Sequence, residues 1–182
     1  MKSKTTLKLT TTAMLFALGL VLPFLTGQIP QIGSMLLPMH IPVFLCGLIC
    51  GGKHGLLMGF VLPIVRSLLF GMPPMYPTAL AMAFELASYG LVAGAIYHGQ
   101  GYYCLRSLLR AMLAAMVTGR IVWGLAMMLL MGIKGGAFTF SAFMAGAVIN
   151  AIPGIILQLI LIPALMLSLS RAGLLLGRKK AE

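Results

Sequence analysis

The stretch TALAMAFELASYGLVAGAIY, Thr78–Tyr97, runs for 20 residues with a single charge, Glu85. A helix of that length reaches about 30 Å, the thickness of a bilayer's hydrocarbon core. In lipid a lone segment must satisfy its own backbone, which a helix does and an isolated strand does not. Gly71-Met72-Pro73-Pro74-Met75-Tyr76-Pro77 precedes the run and His98-Gly99-Gln100-Gly101 follows it. Neither segment continues a helix. Thr78–Tyr97 therefore reads as a membrane span with one carboxylate in its interior.

Five further apolar runs flank it: about Leu9–Leu25, Leu36–Cys50, Leu56–Phe70, Ala111–Met131 and Phe138–Leu169. The last is long enough to kink at Pro153 and Pro163. The chain is 182 residues long, 60% hydrophobic and 8% charged, with a mean hydropathy of +1.06. Such a composition belongs to integral membrane proteins. The expected fold is all-α, a single transmembrane domain over 1–182 with six helices. Neither strand-like alternation nor an internal repeat is evident, so a barrel and an inverted-repeat transporter are not favoured. Lys2, Lys4 and Lys8 before the first run resemble the basic region of a signal peptide, but no small-residue cleavage site follows. The first run is expected to be a retained helix.

A net charge of +11 would suggest nucleic acid in a soluble protein. Here the basic residues cluster at the ends of apolar runs. Lys2, Lys4, Lys8, Lys53, Arg106, Arg110, Arg171, Arg178, Lys179 and Lys180 fall on one side of the six-span arrangement, and only Lys134 on the other. The positive-inside rule then places both termini in the cytoplasm. Cys46, Cys50 and Cys104 lack the spacing of a disulfide framework and read as small buried hydrophobes. The stretch Gly47-Leu48-Ile49-Cys50-Gly51-Gly52-Lys53-His54 has P-loop spacing, but His stands where Ser or Thr must reach Mg²⁺. ATP binding is not expected of this chain.

Three charges lie within apolar runs: Arg66, Glu85 and Arg120. Each costs about 2.5–3.5 kcal/mol on insertion scales unless a partner, a wet cavity or a ligand compensates. Counted along their spans, Glu85, Arg120 and Asn150 lie roughly 12, 16 and 18 Å below the outer ends, and Arg66 roughly 6 Å. Tyr89 shares a helix face with Glu85, and Trp123 shares one with Arg120. One reading makes the charges an interhelical lock in which an arginine pairs with Glu85. The other leaves the second arginine to grip an anionic ligand, Arg120 beside Trp123 being the favoured choice. Gln28, Gln31, Ser34 and His40 could supply neutral hydrogen-bonding groups over such a pocket, and Phe70–Tyr76 an aromatic, Met-rich flap. His40 near the start of span 2 reads as a hydrogen-bonding residue rather than a metal ligand. Neither a metal nor another cofactor is expected. Ala13 and Ala17 form a small-residue face on span 1 that would allow close approach of another helix.

Length, topology, the alanine pair and the stretches Leu37–Pro42, Arg66–Pro74 and Ala81–Gly90 together resemble the substrate-binding S-components of energy-coupling factor (ECF) transporters, the vitamin importers of prokaryotes. The resemblance covers essentially the whole chain. It implies a multi-pass protein of the prokaryotic plasma membrane that captures a vitamin outside and docks on a membrane T-component carrying two ABC-type ATPases. Ala13 and Ala17 would contact the T-component. The chain itself would not be an enzyme, since its partners hydrolyse ATP. Family substrates range from cationic to anionic vitamins, so the fold does not name the vitamin. Two arginines against one glutamate argue for a carboxylate, with pantothenate as first candidate, bound among Arg66, Glu85, Tyr89, Arg120, Trp123, Asn150, His40 and Gln31. Two alternatives stand beside it: a lipid-modifying membrane enzyme using Glu85 as base, and a structural helix bundle.

Overall fold

A computed structural model of the protein describes residues 4–26, 35–99, 102–133, 135, 139–172 and 179–180. Apolar runs become helices and their Pro and Gly punctuation becomes the breaks. Helix α1 is Lys4–Val21 and gives way two residues before Pro23 to a 3-10 turn, Leu22–Thr26. Helix α2 is His40–Cys50, and every residue in it is buried. Gly51, at φ 106°, reverses the chain into α3, Gly52–Phe70. Only glycine adopts that backbone without strain. Helix α3 ends at Gly71 in the left-handed conformation, its N–H donating to the Ser67 carbonyl at 2.9 Å.

An irregular turn, Met75–Ala79, with Tyr76 extended, leads into α4, Leu80–Gly99. Helix α5, Leu105–Ile133, is 29 residues long. The short α6, Phe140–Met144, continues through a wide turn, Ala145–Ile149. Helix α7 follows at Ile152–Arg171. The long sixth run is thus divided: the chain turns at Asn150 and Ala151, and Pro153 sits in the first turn of α7. Proline's missing N–H costs nothing there, whereas in mid-helix it removes a bond. Pro163 stays inside α7. Beyond the helices, Tyr102–Tyr103 (β1) pairs in parallel with Lys179–Lys180 (β2).

Among the described residues, five helical segments are long and apolar enough to cross a bilayer: Thr5–Phe24, Gly52–Phe70, Met75–Gly99, Leu105–Ile133 and Ile152–Arg171. The apolar α2 has 11 residues, about 16 Å, and lies wholly buried, running back along α1 until Cys50 meets the Lys8 carbonyl. Around it α4 is central, packing on α2, α3 and α5. Glycines let these backbones touch. A Cβ on Gly47 would lie 2.4 Å from the Gly90 carbonyl oxygen, one on Gly59 2.3 Å from that of Leu86, and one on Gly94 2.4 Å from the Gly52 nitrogen. Close packing of this kind replaces the hydrophobic drive that lipid does not supply. The outward faces carry Leu68, Leu129 and Ile160, well exposed and suited to acyl chains.

Candidate substrate-binding site

The interior of α4 presents Glu85 and, one turn later, Tyr89, both on its buried face. Helix α5 brings Arg120 to the same point, and α2 begins there with His40. Arg120 Nη1 lies 2.8 Å from Glu85 Oε1, and His40 Nε2 lies 3.5 Å from the same oxygen. Despite the 2.8 Å approach, that oxygen is not aligned as a hydrogen-bond acceptor, so the contact is an ion pair. Tyr89 braces the group from below. Its ring stands edge-on to His40 and to Phe44, each at 5.0 Å between centroids. Gly119, next to Arg120, leaves no room for a side chain, since a Cβ there would be 2.6 Å from the Tyr89 ring.

Several polar atoms in this cluster are buried without a hydrogen-bond partner: Arg120 Nε and Nη2, and both ring nitrogens of His40. Leaving such a group unpaired costs about 1–3 kcal/mol. The two free arginine nitrogens share one edge of the guanidinium. With Nη1 given to Glu85, that edge is the fork that grips a carboxylate through two parallel bonds. The Arg120 side chain is 13% exposed against 2% for Glu85, so the arginine is the less enclosed partner.

Arg66 stands apart from this group. Its Nη1 donates to the Leu20 carbonyl, and its guanidinium lies over the rings of Phe24 and Phe70, at 5.0 and 5.3 Å from their centroids. Among the described residues no ion pair joins Arg66 to a carboxylate. Leu20 lies in the last turn of α1, where carbonyls lack helical partners and a cation is favoured. Arg66 therefore fastens the C-terminal ends of α1 and α3. Trp123 sits over Gly146 and 6.3 Å from the Phe143 ring, closing α5 against the segment after α6. Asn150 is exposed at the turn before α7. Gln28, Gln31 and Ser34 lie outside the described residues. Of the predicted group, then, Glu85, Arg120, His40 and Tyr89 come together, while Arg66 meets Leu20, Phe24 and Phe70 and Asn150 is exposed.

Two buried polar residues with unpartnered atoms, Ser107 on α5 and Gln158 on α7, escaped the sequence reading. Gln158 on α7 is 1% exposed, and its amide nitrogen has no partner. A glutamine within Ile152–Leu161 was the available signal, overshadowed by Asn150 in the same run. Among the described residues no three His, Cys, Asp or Glu side chains gather as a metal site.

A bundle of long apolar helices with Glu85, Arg120 and His40 gathered in its interior has the build of a multi-pass membrane protein with an internal polar site. The family model described as ECF transporter, substrate-specific component, matches residues 7–166, and the chain belongs to that family. It is thus the substrate-specific subunit of an ECF transporter, a transport subunit and not itself an enzyme. Membership implies a small-molecule substrate and association with a T-component and ATPases. Neither curated proteins nor solved structures gave a match.

Proposed function

We propose that the protein captures an anionic vitamin, pantothenate being the first candidate, on the outer side of a prokaryotic plasma membrane. The observation that carries this reading is the free Nε–Nη2 edge of Arg120, buried beside Glu85 and His40. Glu85 neutralises the arginine in the empty site and holds it in place. A substrate carboxylate then docks on the remaining fork, and His40 offers a further polar contact. The preference for an anion rests on these unmet donors, because Arg66 spends its charge on a helix end and two aromatic rings. Delivery follows docking on a T-component bearing two ABC-type ATPases. The exposed Ala13 and Ala17 on α1, flanked by the exposed Met14 and Leu18, support that surface as the contact.

Titration of the purified protein with pantothenate and with its neutral alcohol analogue tests the reading. The acid should bind and the alcohol should bind far more weakly. Arg120→Met should lower affinity for the acid by about a hundredfold, the loss expected when bonds to a charged group vanish. Equal binding of acid and alcohol, or an Arg120→Met protein that keeps its affinity while remaining folded, would remove the basis of the assignment.

A further inference from the structure

The buried face of α7 is formed by Gly154, Gln158, Ile162, Pro163 and Met166. Gln158 is the one polar residue among them. That face meets α2 and α5, the two helices that supply His40 and Arg120. Its depth is fixed by Gly154, which packs on the backbone of Met35 and Leu36, with a Cβ there 2.5 Å from the Met35 carbonyl oxygen. Gln158 is one turn further along α7, and His40 is four residues beyond Leu36. Gln158 thus lies on the face of α7 turned toward the two helices that meet Glu85 through His40 and Arg120.

A buried amide N–H without an acceptor is costly in a low-dielectric interior, where the same group when paired is held firmly. Gln158 Nε2 is such a group. It carries no charge, so it matches a neutral carbonyl oxygen better than it matches a second anion. The Arg120 fork and the Gln158 amide are both donors, so a substrate reaching both brings two acceptors of different kinds.

We propose that Gln158 is a specificity-determining residue that donates its amide to a neutral carbonyl on the substrate, which is thus an acid carrying an amide or ureido group besides its carboxylate. This rests on the reading of Arg120 as the anion-binding group. Acids without such a carbonyl would meet the fork and leave Gln158 unpaired.

Isothermal titration of the full-length protein in detergent distinguishes the two claims. Pantothenate presents a carboxylate and an amide carbonyl, whereas nicotinate has no amide carbonyl, only a pyridine nitrogen fixed on the ring that bears its carboxylate. The parent should bind pantothenate more tightly than nicotinate. Gln158→Met should weaken pantothenate by about tenfold, as loss of one buried hydrogen bond does, and leave nicotinate unchanged. Gln158→Glu, of the same shape but facing the carbonyl with an acceptor, should weaken pantothenate at least as much. Arg120→Met should weaken both acids. If both Gln158 variants bind pantothenate like the parent, or lose the two acids in equal proportion, Gln158 is not a specificity residue, while the Arg120 reading stands. Should Arg120→Met bind both acids unchanged, or the parent bind neither, the Arg120 reading fails and this inference with it.

Discussion

Oxygen Oε1 of Glu85 faces nitrogens from two other helices, Arg120 on α5 and His40 on α2. A single carboxylate thereby ties three helices at one point. Glu85→Gln keeps the shape and removes the charge. Arg120 would then be left without its counter-charge in the interior, a situation that costs about 3–5 kcal/mol when a buried pair is broken. The partial opening of Arg120 brings the expected loss to the lower end of that range. Ligand-free Glu85→Gln protein should therefore melt several degrees below the parent, and saturating pantothenate should recover most of the difference, because its carboxylate takes over the neutralising role. Thermal unfolding in detergent with and without the vitamin checks both halves. A variant that melts like the parent without ligand would show that Glu85 and Arg120 are not coupled. Arg66 illustrates why counting charges fell short. Its partners are a backbone carbonyl and two ring faces, none of which carries a formal charge that a sequence displays.

Helices α2, α3 and α4 are joined through backbone. A Cβ on Gly90 would fall 2.3 Å from the Gly55 carbonyl, an atom that moves only with the whole of α3, while one on Gly99 meets nothing within 4 Å. Gly90→Leu should abolish accumulation of folded protein in the membrane, and Gly99→Ala should leave it near parental levels; monodispersity on size-exclusion chromatography reads the contrast. Normal behaviour of Gly90→Leu would mean that the helices are further apart than described. The helices themselves were legible, because long apolar runs bounded by Pro and Gly leave few other options. Less legible was α2. Its run, Leu36–Cys50, has the hydropathy of a short span, yet four residues go to the approach and the helix starts only at His40. The glycine seam shows in the sequence as Gly55 with Gly59 and Gly90 with Gly94, but spacing along a chain does not say which helix answers which. The same gap separated Asn150 from Gln158. The depth counted for Asn150 assumed one unbroken helix, and the turn at Asn150 and Ala151 that leaves it exposed was not legible.

At the scale of the molecule, α1 packs on α2 and α3 and turns Ala13, Met14, Ala17 and Leu18 outward, while the proposed orientation puts the basic loops in the cytoplasm. Cys104, immediately before α5, tests the orientation. The backbone N–H groups of Ser107 and Arg106, with the charges of Arg106 and Arg110, hold its thiol below the ordinary range, although slight desolvation opposes them. More thiolate is therefore present at neutral pH than in a free cysteine. In oriented vesicles an impermeant maleimide should label Cys104 rapidly from the cytoplasmic side alone, and its rate advantage over a free thiol should shrink as pH rises and the reference thiol also ionises. Cys46 and Cys50 are buried and should stay unlabelled. Labelling from the outer side would invert the topology. Ala13→Leu with Ala17→Leu should abolish vitamin uptake by cells and leave binding to the purified subunit intact, since those positions face outward and away from Glu85 and Arg120. Loss of binding in that double variant would argue against a docking surface there.

The start of α2 has an electrostatic consequence for the whole protein. Met39 supplies no side-chain cap, and Pro42 in the first turn has no N–H to give. The amino end of a helix carries roughly half a positive charge, and here it is set at His40, beside Glu85 and inside the protein. Backbone partial charge neither titrates nor exchanges its counter-ions. Mobile salt screens through water, over about 8 Å at physiological strength, and it does not enter a dry interior. On the proposed reading, part of the attraction for an anion is thus fixed in the peptide framework beside Arg120, and the affinity for pantothenate should change little with ionic strength, unlike retention on a coat of surface lysines.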